Sequence, residues 1–315
     1  MLNWKTICSA LIGATILLTG CLPTESDTGL SGESLQIVAT TSIVGGVVAQ
    51  VAGEQVSITT LLPPNSDPHT YQPTPQDIAT ISKADVIFVN GAGLEVFLEP
   101  ILENANAEEK TVDLSDDINL LTADEHSNSG RDEDQNIDHD NRDPHVWMNP
   151  NNVIVWVNVI QETLGELDPA HAAEYEQNAQ RYSAELRELD TWIATQVADI
   201  PAQRRTLVMD HLVFGYFAEE YGFQQAGAVI PGFSTLAEPS AQQIAEIIDT
   251  IEKLGVKVIF VSDTAPLGIA ERVAEDTDSQ LVYLHTGSLT ESGGFASSYI
   301  EYMRYNVNAI VQALQ

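Results

Sequence analysis

Residues 168–200 read DPAHAAEYEQNAQRYSAELRELDTWIATQVADI, with no glycine and no proline after Pro169. Ala172, Tyr175, Ala179, Tyr182, Leu186, Leu189, Ile193 and Val197 follow one another at steps of three and four. That spacing lines one face of an α-helix. Asp168 and Pro169 read as an N-cap and a first helical residue, and Pro201 as the stop. At 1.5 Å per residue the helix spans on the order of 45 Å, enough to run the length of the molecule. So long a helix in mid-chain predicts two lobes, 36–167 and 201–315, joined by a rigid element over 168–200.

The flanks have one character. Gln36–Thr40, Val56–Leu62 and Val86–Val89 read as buried strands before the long helix, and Thr206–Met209, Val256–Val261 and Leu281–Leu284 after it. Helical patterns over Ile43–Val51, Thr74–Ser82, Ser240–Leu254 and Leu267–Asp276 alternate with them. Such alternation predicts an α/β protein, each lobe a parallel sheet flanked by crossover helices.

Further out, the first twenty residues read as a signal peptide rather than as fold. Lys5 gives a basic start, and Ala10–Leu18 is an apolar run too short for a membrane span. It ends in Leu18-Thr19-Gly20-Cys21, which resembles a bacterial lipobox, so Cys21 is expected to carry lipid and to start the mature chain. The only other cysteine, Cys8, would leave with the signal, and no internal disulfide is expected. Residues 21–35 read as a lipidated cysteine and flexible tether. The chain is therefore expected outside the cytoplasm, held to a bacterial membrane.

The formal net charge is −33, from 46 acidic and 13 basic residues. Nucleic-acid phosphates need Lys and Arg, so this balance argues against nucleic acid as a partner. It concentrates divalent cations, and it also serves solubility. Residues 122–143, TADEHSNSGRDEDQNIDHDNRD, hold eight acids with His126 and His139 and almost no large apolar group. They read as a solvated loop in the first lobe, whose composition also suits weak metal binding.

Three histidines stand in telling places. His69 lies in Asp67-Pro68-His69 and His145 in Asp143-Pro144-His145, each a loop stiffened by proline. His211 follows the strand Thr206–Met209. In open α/β sheets ligand sites form beyond the carboxyl ends of strands, so all three can meet in the cleft between the lobes. Three imidazoles and one oxygen make a tetrahedral zinc set, whereas carboxylates and water suit manganese.

The stretches DPHTYQPTPQDIATISKADVIFVNGAGLE (67–95), DPHVWMNP (143–150) and DHLVFGYFAEEYGF (210–223), with the ending SSYIEYMRYNVNAIVQAL, resemble the metal-binding lipoproteins that serve zinc and manganese ABC importers. The long helix and the acidic His-containing loop fall where that family has them. The resemblance implies that His69, His145 and His211 are metal ligands. It also implies capture of Zn²⁺ for a membrane permease, by a protein that is not an enzyme and works as a monomer. Manganese members tend to carry Glu at the third position, so His211 favours zinc, with Mn²⁺ as the alternative. The family often adds an Asp in a C-terminal loop, where this chain has Gly287 in Leu284-His285-Thr286-Gly287-Ser288-Leu289. The fourth ligand is then Asp263, His285 or water, and Asp263 also reads as a helix N-cap.

Three histidines with an open position also describe a catalytic zinc site. A hydrolase would need a general base, for which Asp210 is the candidate. No His-Glu-x-x-His motif occurs. Trp147, Trp156 and Trp192 read as packing residues, and His171 as exposed.

Overall fold

The computed structural model describes residues 34–54, 56–122 and 142–315. The expected signal peptide, Cys21, nearly all of the tether and residues 123–141, with His126 and His139, lie outside the described residues.

Two four-stranded parallel sheets are present among the described residues. The first runs β2-β1-β3-β4, with β1 Gln36–Ala39, β2 Ser57–Thr60, β3 Val86–Val89 and β4 Thr111–Asp113. The second runs β6-β5-β7-β8, with β5 Thr206–Met209, β6 Gln224–Ala228, β7 Val258–Ser262 and β8 Gln280–Leu284. Neither β4 nor β6 stands out in the sequence. The first is three residues long. The second reads QQAGA, with little of the branched or aromatic content that marks strands.

Each sheet is covered on both faces, as parallel sheets are. Helices α2 Pro75–Lys83 and α3 Glu99–Ala105 lie on the outer face of the first sheet, packed on Val38, Ile87 and Val89. Helices α7 Ala241–Leu254 and α8 Gly268–Thr277 do the same on the second, over Val208, Ile259 and Val261. The inner faces share one cluster. It runs from Ile37 and Phe88 through α1 Ser42–Ala52, α4 Pro150–Leu167, α5 Ala172–Ala198, α6 Gly215–Tyr221 and α9 Tyr299–Leu314 to Leu207 and Phe260.

Helix α5 is the predicted long element, with its N-terminal boundary moved. It starts at Ala172, not at Pro169. Asp168 closes the preceding helix α4 instead, and residues 168–171 form the turn between the two. The Asp168 carboxylate accepts bonds from His171 Nδ1 at 2.6 Å and from the Tyr175 hydroxyl at 2.9 Å, which fixes the turn. The buried side of α5 is the predicted stripe from Tyr175 to Val197, with Asn178 and Ser183 added. The sequence reading named no helix over 150–167, where VIVWVNVI is rich in β-branched residues. Helix forms there because Asn149 caps Asn151 N–H, Pro150 takes the first turn, and Val153, Trp156, Val157, Ile160 and Leu164 make one buried face. Trp147 and Trp156 are core residues, and Trp192 packs at the surface under the guanidinium of Arg304.

The segment after β8 reaches the first sheet. Leu289 N–H donates to Ser42 Oγ at 2.8 Å, and Asn65 N–H donates to the Leu289 carbonyl at 3.2 Å. The loop carrying His69 is thus tied to the loop carrying Gly287. No helix among the described residues is long and apolar enough to cross a membrane.

Candidate metal centre

His69 stands in the loop between β2 and α2. Asp67 Oδ1 accepts its backbone N–H at 2.9 Å. His145 precedes α4, and Asp143 Oδ1 accepts its N–H, also at 2.9 Å. The two Asp-Pro-His tripeptides therefore fold into the same local turn, carboxylate to the amide two residues on. His211 follows β5, and Asp210 Oδ1 accepts its N–H at 2.7 Å.

The three rings converge. Their centroids are 5.3, 5.5 and 5.3 Å apart for the pairs 69–145, 69–211 and 145–211. One ligand nitrogen from each lies within 4.8 Å of the others. His69 Nε2 and His145 Nε2 are 3.2 Å apart, close to the ~3.3 Å edge expected between two nitrogens bound tetrahedrally at about 2.0–2.1 Å. Among the described residues this group contains three imidazoles and no carboxylate.

Two rings are oriented by acids. His145 Nδ1 meets Asp143 Oδ1 at 2.8 Å, and His211 Nδ1 meets Asp210 Oδ1 at 2.9 Å. Each carboxylate holds the proton on Nδ1 and leaves Nε2 as a lone-pair donor facing the centre. Asp67 is used differently. Its second oxygen accepts the Thr235 hydroxyl at 2.7 Å, from the loop after β6. Neither sequence pattern nor spacing singles out Thr235. The aspartates beside the histidines were visible, but their hold on the rings was not.

Burial favours the neutral form of two of the three imidazoles, His69 and His145. Burial pulls the His69 imidazole well below its ordinary value, and the neighbouring His145 and His211 add to the fall. Burial also lowers His145, against the pull of Asp143. Burial alone would raise the Asp210 carboxyl. The proximity and hydrogen bond of His211, with bonds from Ser262, outweigh it and hold Asp210 below the usual carboxylate range.

Beside the imidazoles is a small cavity of about 10 Å³, the size of one water-sized ligand. Its wall includes Pro68, Thr235, Ser262, Thr286 and Gly287. A Cβ at position 287 would stand 2.7 Å from Pro68 Cδ, so glycine keeps this wall closed. Asp263 is not in that wall. It is exposed, and its Oδ2 meets His285 Nδ1 at 2.5 Å. Nor does it cap a helix, since α8 starts at Gly268 after Leu267. His285 turns from the centre toward Asp263, its ring packed against Phe295 and Tyr302. Outward of His69 a wide cleft of about 1270 Å³ opens between the loops around Tyr71, Val96 and Asp113 and the loop around Phe233 and Leu236.

Known proteins resemble this chain in sequence and in fold. The manganese-binding lipoprotein MntA of Halalkalibacterium halodurans is 34% identical over 313 residues, 98% of this chain and 99% of its own. The manganese ABC transporter substrate-binding lipoprotein PsaA of Streptococcus pneumoniae is 29% identical over 308 residues, 96% of each chain. Among solved structures, the periplasmic zinc binding protein TroA of Treponema pallidum superposes with a TM-score of 0.78 at 26% identity, over 89% of this chain and 99% of that one. A Mn-bound periplasmic metal binding protein of Candidatus Liberibacter asiaticus gives 0.74 at 27%, with the same coverage. The profile of the zinc-uptake complex component A periplasmic proteins (ZnuA) matches residues 37–313. With a match of that extent, the chain belongs to this family, the extracytoplasmic metal-binding proteins that serve ABC importers.

Proposed function

We propose that this protein captures Zn²⁺ through His69, His145 and His211, with water as the fourth ligand, and delivers it to the membrane permease of an ABC importer. The observation that carries the reading is the convergence of three imidazole nitrogens in a group without a carboxylate. Nitrogen donors suit zinc, and oxygen donors suit manganese. Asp67 also lines the small cavity, but its oxygens bond the His69 amide and Thr235, and it is not among the converging ligand atoms of the described residues. Water fits the 10 Å³ space beside Gly287, and neither Asp263 nor His285 faces it.

Manganese is the second reading, favoured by the names of MntA and PsaA. Hydrolysis finds less support. Asp210, the candidate base, spends one oxygen on His211 and the other on the Ser262 amide. A cluster complete within one chain supports a monomer. Lipid on Cys21 would hold the protein beside its permease, as the lipoprotein names of the relatives suggest. Helix α5, packed against α1, α4 and α9, limits bending between the lobes, so release would proceed by movement of the loops around the metal.

Competitive titration of the metal-free protein against a chelator of known strength tests the reading. The expected result is one tight zinc per chain, lost in His69→Ala, with manganese held far more weakly. Tighter manganese than zinc would reverse the selectivity, and no tight binding of either would end the proposal.

A further inference from the structure

We propose that Thr286 is a positioning residue for the metal, its hydroxyl fixing the ring of His211 through Ser262 and Asp210. The inference rests on the imidazole cluster being the metal site. Asp210 Oδ1 accepts both the amide and Nδ1 of His211, at 2.7 and 2.9 Å. Its other oxygen accepts the Ser262 amide at 2.7 Å. Ser262 Oγ in turn lies 2.7 Å from Thr286 Oγ1. Every member is buried: Thr286, Ser262, Asp210 and His211 are 2% exposed or less.

The same residue is anchored from the opposite side. The Thr286 carbonyl accepts the Tyr302 hydroxyl at 2.6 Å and the Trp147 indole N–H at 3.2 Å. Trp147 lies edge-on to the His145 ring, with centroids 5.2 Å apart. The Thr286 backbone is therefore set by the packing around His145, while its side chain sets His211. One residue relates a ligand of the first lobe to the ligand of the second. Carboxylates that orient metal-bound histidines are themselves hydrogen-bonded, and loss of such outer partners costs ~10–100-fold in metal affinity. Valine at 286 keeps the shape of threonine and removes the hydroxyl, leaving the carbonyl bonds to Trp147 and Tyr302 in place.

The test uses the full chain, stripped of metal, as wild type, Thr286→Val, Thr286→Ser, Ser262→Ala and the Val/Ala double variant. Zinc affinity is measured by chelator competition, and the visible spectrum of the Co²⁺ form reports ligand geometry. Thr286→Val should weaken zinc at unchanged stoichiometry, by no more than the ~10–100-fold expected for loss of a ligand's own hydrogen-bond partner, and shift the Co²⁺ bands. Thr286→Ser should restore both. Ser262→Ala should match the valine variant, and the double variant should be no weaker than either, because both act along one path. Wild-type affinity and spectrum in Thr286→Val would overturn the inference. So would losses that multiply in the double variant, which would show that Thr286 acts independently of Ser262. Should Thr286→Val not fold, Ser262→Ala decides the matter alone. Failure of the wild type to bind zinc would instead overturn the metal-site reading beneath it.

Discussion

The two lobes have the same strand order, 2-1-3-4 counted within each sheet, yet they bring different chemistry to the centre. The first supplies two imidazoles, His69 beyond β2 and His145 before α4. The second supplies one, His211 beyond β5, together with hydroxyls from the ends of its remaining strands: Thr235 after β6, Ser262 at the end of β7 and Thr286 after β8. Equivalent strand ends thus hold imidazoles on one side and hydroxyls on the other. The Thr235 hydroxyl bonds Asp67, while the Thr286 hydroxyl holds the side chain of Ser262, whose backbone amide bonds Asp210. The first lobe is mainly ligand, and the second is mainly support.

If that division is right, the two sides fail differently. The largest effect should come from the second lobe's single imidazole: His211→Ala should weaken zinc roughly a thousandfold, an equal share of a structural zinc site's binding energy. Chelator competition measures it, and a loss under tenfold would mean that the first lobe binds alone. Next come the acids. Asp143→Asn and Asp210→Asn each remove a carboxylate from an imidazole and should cost ~10–100-fold. Asp67→Asn touches no ring nitrogen and should cost less. Equal losses at all three would erase the distinction between oriented and unoriented histidines.

Acid should act through His69 and His145. His69 and His145 are both shifted below the ordinary imidazole value of 6.5. The unfolded chain therefore binds protons that the folded chain refuses, so these two groups leave the metal-free protein unaffected above pH 6.5 and destabilise it progressively as pH falls below it. Thermal melting of the metal-free form from pH 7.5 to 5 should show a midpoint that falls less, or rises more, in His69→Ala than in wild type, since buried Glu95, pushed up to about 7 by burial, works in the opposite sense in both. An unchanged slope in that variant would remove His69 from the account. The smallest effect is steric. Gly287→Ala brings a methyl against Pro68 and should cost about 1–3 kcal/mol in stability, with zinc affinity reduced only a few-fold. A larger loss of affinity would show that Pro68 and His69 move together.

Much of this was legible in the residues. The stripe from Tyr175 to Val197 predicts α5 because helical periodicity survives in any one-sided helix. The boundary at Asp168 misleads because Asp-Pro opens a turn as readily as a helix. Pro144 and Pro68 mark the loops of His145 and His69, and the distance between those loops in sequence says nothing of the 3.2 Å between their rings. Asp263 seemed a ligand because it follows a strand that ends near the site. Only the packing of β7 against β8 shows that its partner is His285. Hydroxyls carry no sequence signature at all, since Ser and Thr serve turns, caps and surfaces alike. Thr235, Ser262 and Thr286 could be found only after the strands were paired.

The apolar cluster common to the inner faces of both sheets has a thermodynamic consequence. A molecule with one shared interior cannot lose one lobe and keep the other, since either half would expose Tyr175, Leu186 or Tyr302 to water. Heating should therefore give a single calorimetric transition, with no partly melted species. A gene fragment ending near residue 200 should yield insoluble chain rather than a working half. Because cargo binds only the native form, zinc at a hundred times its Kd should raise the stability of the whole molecule by about 2.7 kcal/mol. The loaded and empty proteins would then differ in their resistance to proteases everywhere, including surfaces far from the metal.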